Sequence, residues 1–219
     1  MIQRVVEQSR KALSLSEVIV ATDDERIRKH VEDFGGKVIM TSADHQSGTD
    51  RCYEALQQAG ESNWDVVVNI QGDEPYIYPE QIDLVCSCFS SPGVEIATLV
   101  KKVKDTAELI NVNSPKVIID KNRQAIYFSR TPIPFYRGKD QSEWLDLHTY
   151  FKHIGIYAYR SDVLRRITQI KPSSLETAEA LEQLRWIENG YRINVEVTEF
   201  ESVAVDVPED IHRLAPKSE

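Results

Sequence analysis

The chain has 219 residues, 41% hydrophobic and 28% charged, a balance that supports a real α/β core and excludes a disordered chain. Its 26 Lys and Arg against 35 Asp and Glu leave a formal charge of −9, which argues against nonspecific binding to nucleic acid or anionic membranes. No stretch reaches the length of a membrane-crossing helix, residues 1–7 lack a signal-peptide core, and Cys52, Cys86 and Cys88 read as reduced thiols, so the expected location is cytoplasmic.

Ile2, Val5, Val6 and residues 9–13 follow an amphipathic spacing, which predicts a helix ended near residues 14–16. Residues 17–21 read as a short buried strand closed by Thr22-Asp23-Asp24. A helix with Ile27, Val31 and Phe34 inward follows and stops at Gly35-Gly36. Residues 38–40 form the next strand, a helix over 49–59 leads to a strand at 66–70, and Pro79 opens a helix carrying Ile82, Val85 and Phe89. This alternation predicts a parallel sheet with crossover helices. After Pro92-Gly93 the connections shorten, with strands at 96–103, 116–120, 125–129 and 153–159 and a hairpin turn at Lys121-Asn122-Arg123. Residues 132–149 read as a long functional or interface loop. One helix over 175–189, capped by Gly190, precedes a strand at 192–199, a short strand at 203–206 and a last helix opened by Pro208.

The segment Val66-Val67-Val68-Asn69-Ile70 suits a strand covered on both faces, and Gln71-Gly72-Asp73-Glu74-Pro75 sets an amide and two carboxylates at its carboxyl end. Open α/β sheets bind ligands in the crevice there. On these residues alone two readings stand: carboxylates for a hard divalent cation with Gly72 admitting close approach, or an ordinary Gly-Asp-Pro turn. Cys86 and Cys88, two apart on an apparent helix, face different ways and do not suit zinc.

Further segments join that one in chain order: Ala43-Asp44-His45-Gln46-Ser47-Gly48-Thr49-Asp50-Arg51, Tyr127-Phe128-Ser129-Arg130, His153-Ile154-Gly155-Ile156-Tyr157-Ala158-Tyr159-Arg160, Leu181-Glu182-Gln183-Leu184-Arg185 and Val205-Asp206-Val207-Pro208-Glu209-Asp210. Together they span essentially the whole chain, which resembles the 3-deoxy-manno-octulosonate (Kdo) cytidylyltransferase, or CMP-Kdo synthetase, family. The resemblance implies a Rossmann-like nucleotide-diphospho-sugar transferase fold of class α/β. Its sheet is mostly parallel, with a smaller mixed subdomain around 115–160 for sugar binding and dimerisation. It also implies transfer of CMP from CTP to Kdo with release of pyrophosphate, for lipopolysaccharide biosynthesis, by a magnesium-dependent homodimer.

By the same resemblance, Asp73 and Asp206 are the catalytic metal carboxylates, and Ser47, Gly48, Arg51 and Gln71 bind the nucleotide. Arg130, His153, Tyr157, Glu179 and Gln183 form the sugar pocket, with Arg130 on the sugar carboxylate and Glu179 and Gln183 sharing a helix face four residues apart. Each also has a plain reading: a helix cap for Ser47, a residue before a helix start for Asp206, an edge-strand arginine, a half-buried sheet histidine, a solvated helix face. His45, Glu182 and Arg185 receive no role.

The chain departs from the family at its start. Family members begin with a strand and an Ala-Arg-rich loop, ended by Gly-Lys-Pro, that grips the triphosphate; Met1 falls just after that point. The expectation is therefore a single, N-terminally truncated cytidylyltransferase domain with negligible turnover of its own. Two alternatives stand beside it. One is a transferase for a related sugar acid, which Gln71 to Pro75 disfavours; the other is a non-catalytic binding or dimerising remnant.

Overall fold

The computed structural model describes residues 1–61 and 64–201. Helix α1 (Ile2–Ser9) turns Val5, Val6 and Ser9 inward and leads to β1 (Ile19–Thr22). Asp24 caps α2 (Glu25–Asp33), its carboxylate accepting from the Arg26 N–H at 2.8 Å, and β2 (Lys37–Met40) follows. Ser47 likewise caps α3 (Gly48–Gln58), accepting from the Asp50 N–H at 3.1 Å. Next come β3 (Val66–Asn69) and α4 (Pro79–Ser87), whose proline sits in the first turn. The second half holds β4 (Ile96–Lys102), α5 (Thr106–Ile110), β5 (Lys116–Ile119), β6 (Ala125–Ser129), α6 (Trp144–Leu147) and β7 (Phe151–Arg160). It closes with α7 (Ser161–Ile167), α8 (Ser174–Glu179), α9 (Gln183–Glu188) and β8 (Ile193–Val197).

The fold is α/β, as the sequence implies: β1–β2 form a parallel pair, and the other six strands form a mixed sheet in which β4–β8 is parallel and the remaining pairings are antiparallel. Strand β7 organises that sheet. Along one edge it runs antiparallel to β4; along the other it meets β5 near its start and β3 near its end. Between those two partners lie Ile154, Gly155 and Ile156, where the register against β4 slips from Thr98↔Tyr157 to Leu99↔Ile154. The extra residues bulge out, and the Thr98 hydroxyl donates to the Ile156 carbonyl at 2.7 Å. Bulges of this kind re-aim side chains beside functional sites.

Alternation along β7 divides the core. Tyr157 and Tyr159 pack on one face with Phe128, Leu164 and Trp186; Ile154, Ile156 and Ala158 pack on the other with Ile82, Val85 and Leu99. Strands β1 and β3 do not pair with each other among the described residues, so the two sheets stay separate.

Three expectations need correction. Ile27 is 38% exposed, leaving Val31 as the buried anchor of α2. Helices α5 and α7 occupy connections that the sequence reading left without structure. The single helix expected over 175–189 is two helices, broken at Ala180, whose φ of 50° is left-handed. The break is tertiary in origin: the Arg130 guanidinium donates to the carbonyls of Glu179 at 2.6 Å and Ala180 at 3.0 Å, drawing the chain out of the helix. A left-handed alanine costs about 1–2 kcal/mol. Ala180→Gly should therefore leave thermal stability unchanged or raise it, while Ala180→Val should lower it by about 1–2 kcal/mol in urea melts. Residues 203–206 and the helix expected from Pro208 lie outside the described residues.

Candidate active site

A cavity of about 1050 Å³ opens among α1, β1, α3, β3, β7 and the bend at 180–183. Its apolar part is walled by residues such as Val5, Val20, Leu56 and Val66, and lies along the unjoined strands β1 and β3. Its polar part gathers at the carboxyl end of β3, where Gln71, Gly72 and Asp73 meet the bulged stretch of β7. A Cβ added at Gly155 would lie 3.5 Å from the Gln71 amide nitrogen, so the missing side chain lets the loop cross β7 closely.

Of the residues that the resemblance singles out, Gly48, Arg51, Gln71, Asp73, His153, Tyr157 and Gln183 line this one cavity. Arg51 is held at the ends of β1 and β2, donating to Thr41 Oγ1 at 2.6 Å and lying 3.4 Å from the Asp23 carboxylate. Three expected members are not on the wall. Ser47 spends its hydroxyl on the α3 cap and the Asp50 carboxylate at 2.9 Å. Arg130 faces backbone carbonyls, those of Val112, Glu179 and Ala180, rather than the cavity. Glu179 accepts from Ser129 Oγ at 2.8 Å and the Arg130 N–H at 2.9 Å. Because the helix breaks at Ala180, Glu179 and Gln183 do not share a face. Asp206 lies outside the described residues.

The cavity also holds residues that sequence reasoning passed over. Glu182 accepts from Thr49 Oγ1 at 2.8 Å, and burial pushes its carboxyl above the ordinary range. Read on an unbroken helix it looks like surface; the bend at Ala180 turns it inward beside the nucleotide segment. Tyr159 stacks on Tyr157 with ring centroids 6.0 Å apart, and Trp186 meets both rings edge-on. Burial pushes the Cys52 thiol up to about 12, so it stays a protonated, inert wall residue.

Several buried polar atoms here have no partner among the described residues: Asp73 Oδ1, the Tyr157 and Tyr159 hydroxyls and Gln183 Nε2. Buried polar groups are normally paired, so a convergent set left open is the mark of a site that hydrogen-bonds a polar ligand. His153 adds an acceptor. Thr98 gives its hydroxyl hydrogen to the Ile156 carbonyl, so at the 3.0 Å contact it accepts from His153 Nε2, leaving Nδ1 unprotonated.

Loss of hydration holds the His153 ring at about pKa 4, below the ordinary 6.5. The unfolded chain therefore binds this proton more tightly. Stability is full above pH 6.5 and is lost as the pH falls from 6.5 toward 4. That loss should approach roughly 3 kcal/mol. His153→Gln should remove this part of the acid sensitivity in urea melts taken between about pH 4 and 7. Equal acid sensitivity in parent and variant would mean that the ring is solvated.

Asp73 is the metal-binding candidate. A carboxylate oxygen left without a partner among the described residues, at a strand end, is the donor type that a hard divalent cation takes. Among the described residues no three His, Cys, Asp or Glu side chains gather as ligands, so Asp73 fits as one ligand of a set that draws on other oxygens.

An α/β crevice with open polar groups at a strand's carboxyl end defines a ligand-binding site of the nucleotide-handling class. Comparison with known proteins narrows the class. The cytidylyltransferase family model matches residues 1–195. The 3-deoxy-manno-octulosonate cytidylyltransferase of Parabacteroides distasonis is 56% identical over 217 residues, covering 97% of this chain and 85% of the relative. That of Bacteroides thetaiotaomicron is 57% identical over 213 residues, covering 96% and 84%. A solved structure of CMP:2-keto-3-deoxy-manno-octonic acid synthetase complexed with CTP superposes with a TM-score of 0.88 at 38% identity, covering 97% of this chain and 85% of that one. The chain belongs to the cytidylyltransferase family, and within it to the 3-deoxy-manno-octulosonate cytidylyltransferases.

Proposed function

We propose that this protein transfers CMP from CTP to Kdo, releasing pyrophosphate and supplying CMP-Kdo for lipopolysaccharide. The observation that carries the reading is the set of open polar atoms on one wall. Tyr157, Gln183 and neutral His153 offer a donor or acceptor each to a polyhydroxylated sugar acid, next to Gln71 and Arg51 on the nucleotide side. Glu182, bonded to Thr49 at the start of α3, links the two halves. Arg130 and Glu179 build the pocket from behind by fixing the bend that presents Glu182 and Gln183. Such a transfer depends on positioning and charge stabilisation more than on covalent chemistry.

Magnesium is the proposed cofactor, held by Asp73 together with Asp206. When bound, it supplies charge neutralisation at the phosphate oxygens and favours ionisation of the attacking hydroxyl. The reading extends to a cytoplasmic homodimer, which Ile126 at 54% exposure and Phe135 at 74% support as apolar surface on β6 and the following loop.

The test is pyrophosphate release from CTP by the full-length protein with Kdo and a panel of other sugar acids, including an amino-substituted octulosonate and a nonulosonate, with the product identified by NMR. Kdo-dependent release with CMP-Kdo as product is the expected result. A stronger response to another acid would reassign the substrate, and no response to any would leave a binding protein.

A further inference from the structure

Arg51, Glu54 and Gln58 lie along one stripe of α3, and all three reach back to the chain that leaves β2. Gln58 Nε2 donates to the Met40 carbonyl at 2.9 Å, and the Arg51 guanidinium donates to Thr41 Oγ1 at 2.6 Å and to the Ser42 carbonyl at 3.4 Å. Glu54 reaches furthest along the loop. One of its carboxylate oxygens accepts from the Ser42 N–H at 2.8 Å and meets the His45 ring at 2.5 Å. The Ser42 N–H and then the His45 ring hold the Glu54 carboxyl below the usual range. An ionised carboxylate only accepts, so His45 carries a hydrogen on Nε2 and donates it.

The loop itself is open. Ser42, Ala43, Asp44 and Gln46 are exposed, and of residues 42–46 only His45 turns inward. The Asp44 N–H and Gln46 Nε2 donate to the loop's own atoms, Ser42 Oγ and the Asp44 carbonyl. Ser47 then commits its hydroxyl to the α3 cap, and Gly48 and Thr49 reach the cavity wall. Gln58 and Arg51 already fasten α3 to the end of β2. The His45–Glu54 bond instead ties the far part of the loop, close to Gly48. Neither His45 nor Glu54 lines the cavity, so both act through the segment they hold.

We infer that His45 and Glu54 are positioning residues for the nucleotide, which fix the loop that delivers Gly48 and Thr49 before CTP arrives; this rests on the reading in which that segment binds the nucleotide. Ordering a free loop opposes binding, and a loop already ordered by its own bond spares the ligand that cost. Such a tie acts on CTP affinity. It leaves the sugar side at His153, Tyr157 and Gln183 as it was.

The test compares His45→Phe, His45→Gln and Glu54→Ala with the parent in the full-length protein. Phenylalanine keeps a ring and removes the donor, whereas glutamine keeps an N–H donor on a side chain of similar reach. His45→Phe should raise KM for CTP, and the CTP dissociation constant from calorimetry, about fivefold, with kcat and KM for Kdo within about twofold of the parent. His45→Gln should restore CTP binding to within about twofold of the parent. Glu54→Ala should weaken CTP binding at least as much as His45→Phe, which covers the case of a His45→Phe protein that fails to fold. The double variant should bind CTP no worse than Glu54→Ala alone, because one bond is lost in each. Effects that multiply would mean that the two residues act separately and would overturn the inference.

Hydrogen exchange separates this inference from the reading beneath it. In the parent, CTP should slow exchange at the amides of residues 47–51. If CTP leaves them unchanged, the nucleotide reading of the segment fails and takes the inference with it. If CTP protects them while His45→Phe and Glu54→Ala both bind CTP within about twofold of the parent, the inference fails alone.

Discussion

Asp73→Asn and Asp206→Asn should each lower CMP transfer by about 100-fold or more, because losing roughly 3 kcal/mol of metal-based stabilisation corresponds to that factor. Asparagine keeps the size of the side chain and removes the charge, so the loss should fall mainly on kcat, with a smaller change in KM for CTP. Stability should move the other way at position 73. There Oδ1 is buried without a partner among the described residues, and a lone buried carboxylate oxygen is a burden on the folded state. Without metal, Asp73→Asn should therefore melt at or above the parent temperature. A variant that loses activity and melts lower would mark Asp73 as a structural residue, and turnover within a few-fold of the parent would remove it from the site.

Trp186→Ala should cost about 3–5 kcal/mol in urea unfolding, the range for emptying a buried aromatic position. For a chain of this size that is on the order of 10 °C in melting temperature. Trp186 is 1% exposed, and its ring meets Tyr157 at 5.2 Å and Tyr159 at 5.6 Å, both edge-on. Its indole nitrogen has no partner among the described residues, so Trp186→Phe should cost much less, since it keeps an edge contact and removes an unpaired buried donor. Tyr157 is aimed by these contacts, so the alanine variant should also raise KM for the sugar acid more than KM for CTP. A cost below about 1 kcal/mol would mean that the pocket wall does not depend on this ring.

Local chemistry made part of this legible. A serine three residues before Asp50 announces a helix start, and Ser47 does cap α3. Continuous β-forming residues followed by Gln71-Gly72-Asp73 announce a strand and a ligand-side loop, and that loop borders the cavity. Arg130 shows the limit. Its position after β6 was readable, but its target was not, because two of the three carbonyls it binds belong to Glu179 and Ala180, far along the chain, and the third to Val112 on an earlier segment.

What the amino-acid order determined is therefore what depends on neighbours a few residues apart: periodicity, caps, turns and the strand that delivers Asp73. The tertiary structure decided the rest. It broke the helix at Ala180, turned Glu182 and Gln183 into the cavity and sent Glu179 away from it. It opened the bulge at Gly155, fixed the tautomer of His153 through Thr98, and buried Lys101 beside Lys152. The physical reason is the same in each case. These features are set by hydrogen bonds and charge pairs between distant segments, whose energies of about 1–3 kcal/mol outweigh the tenths contributed by local propensity.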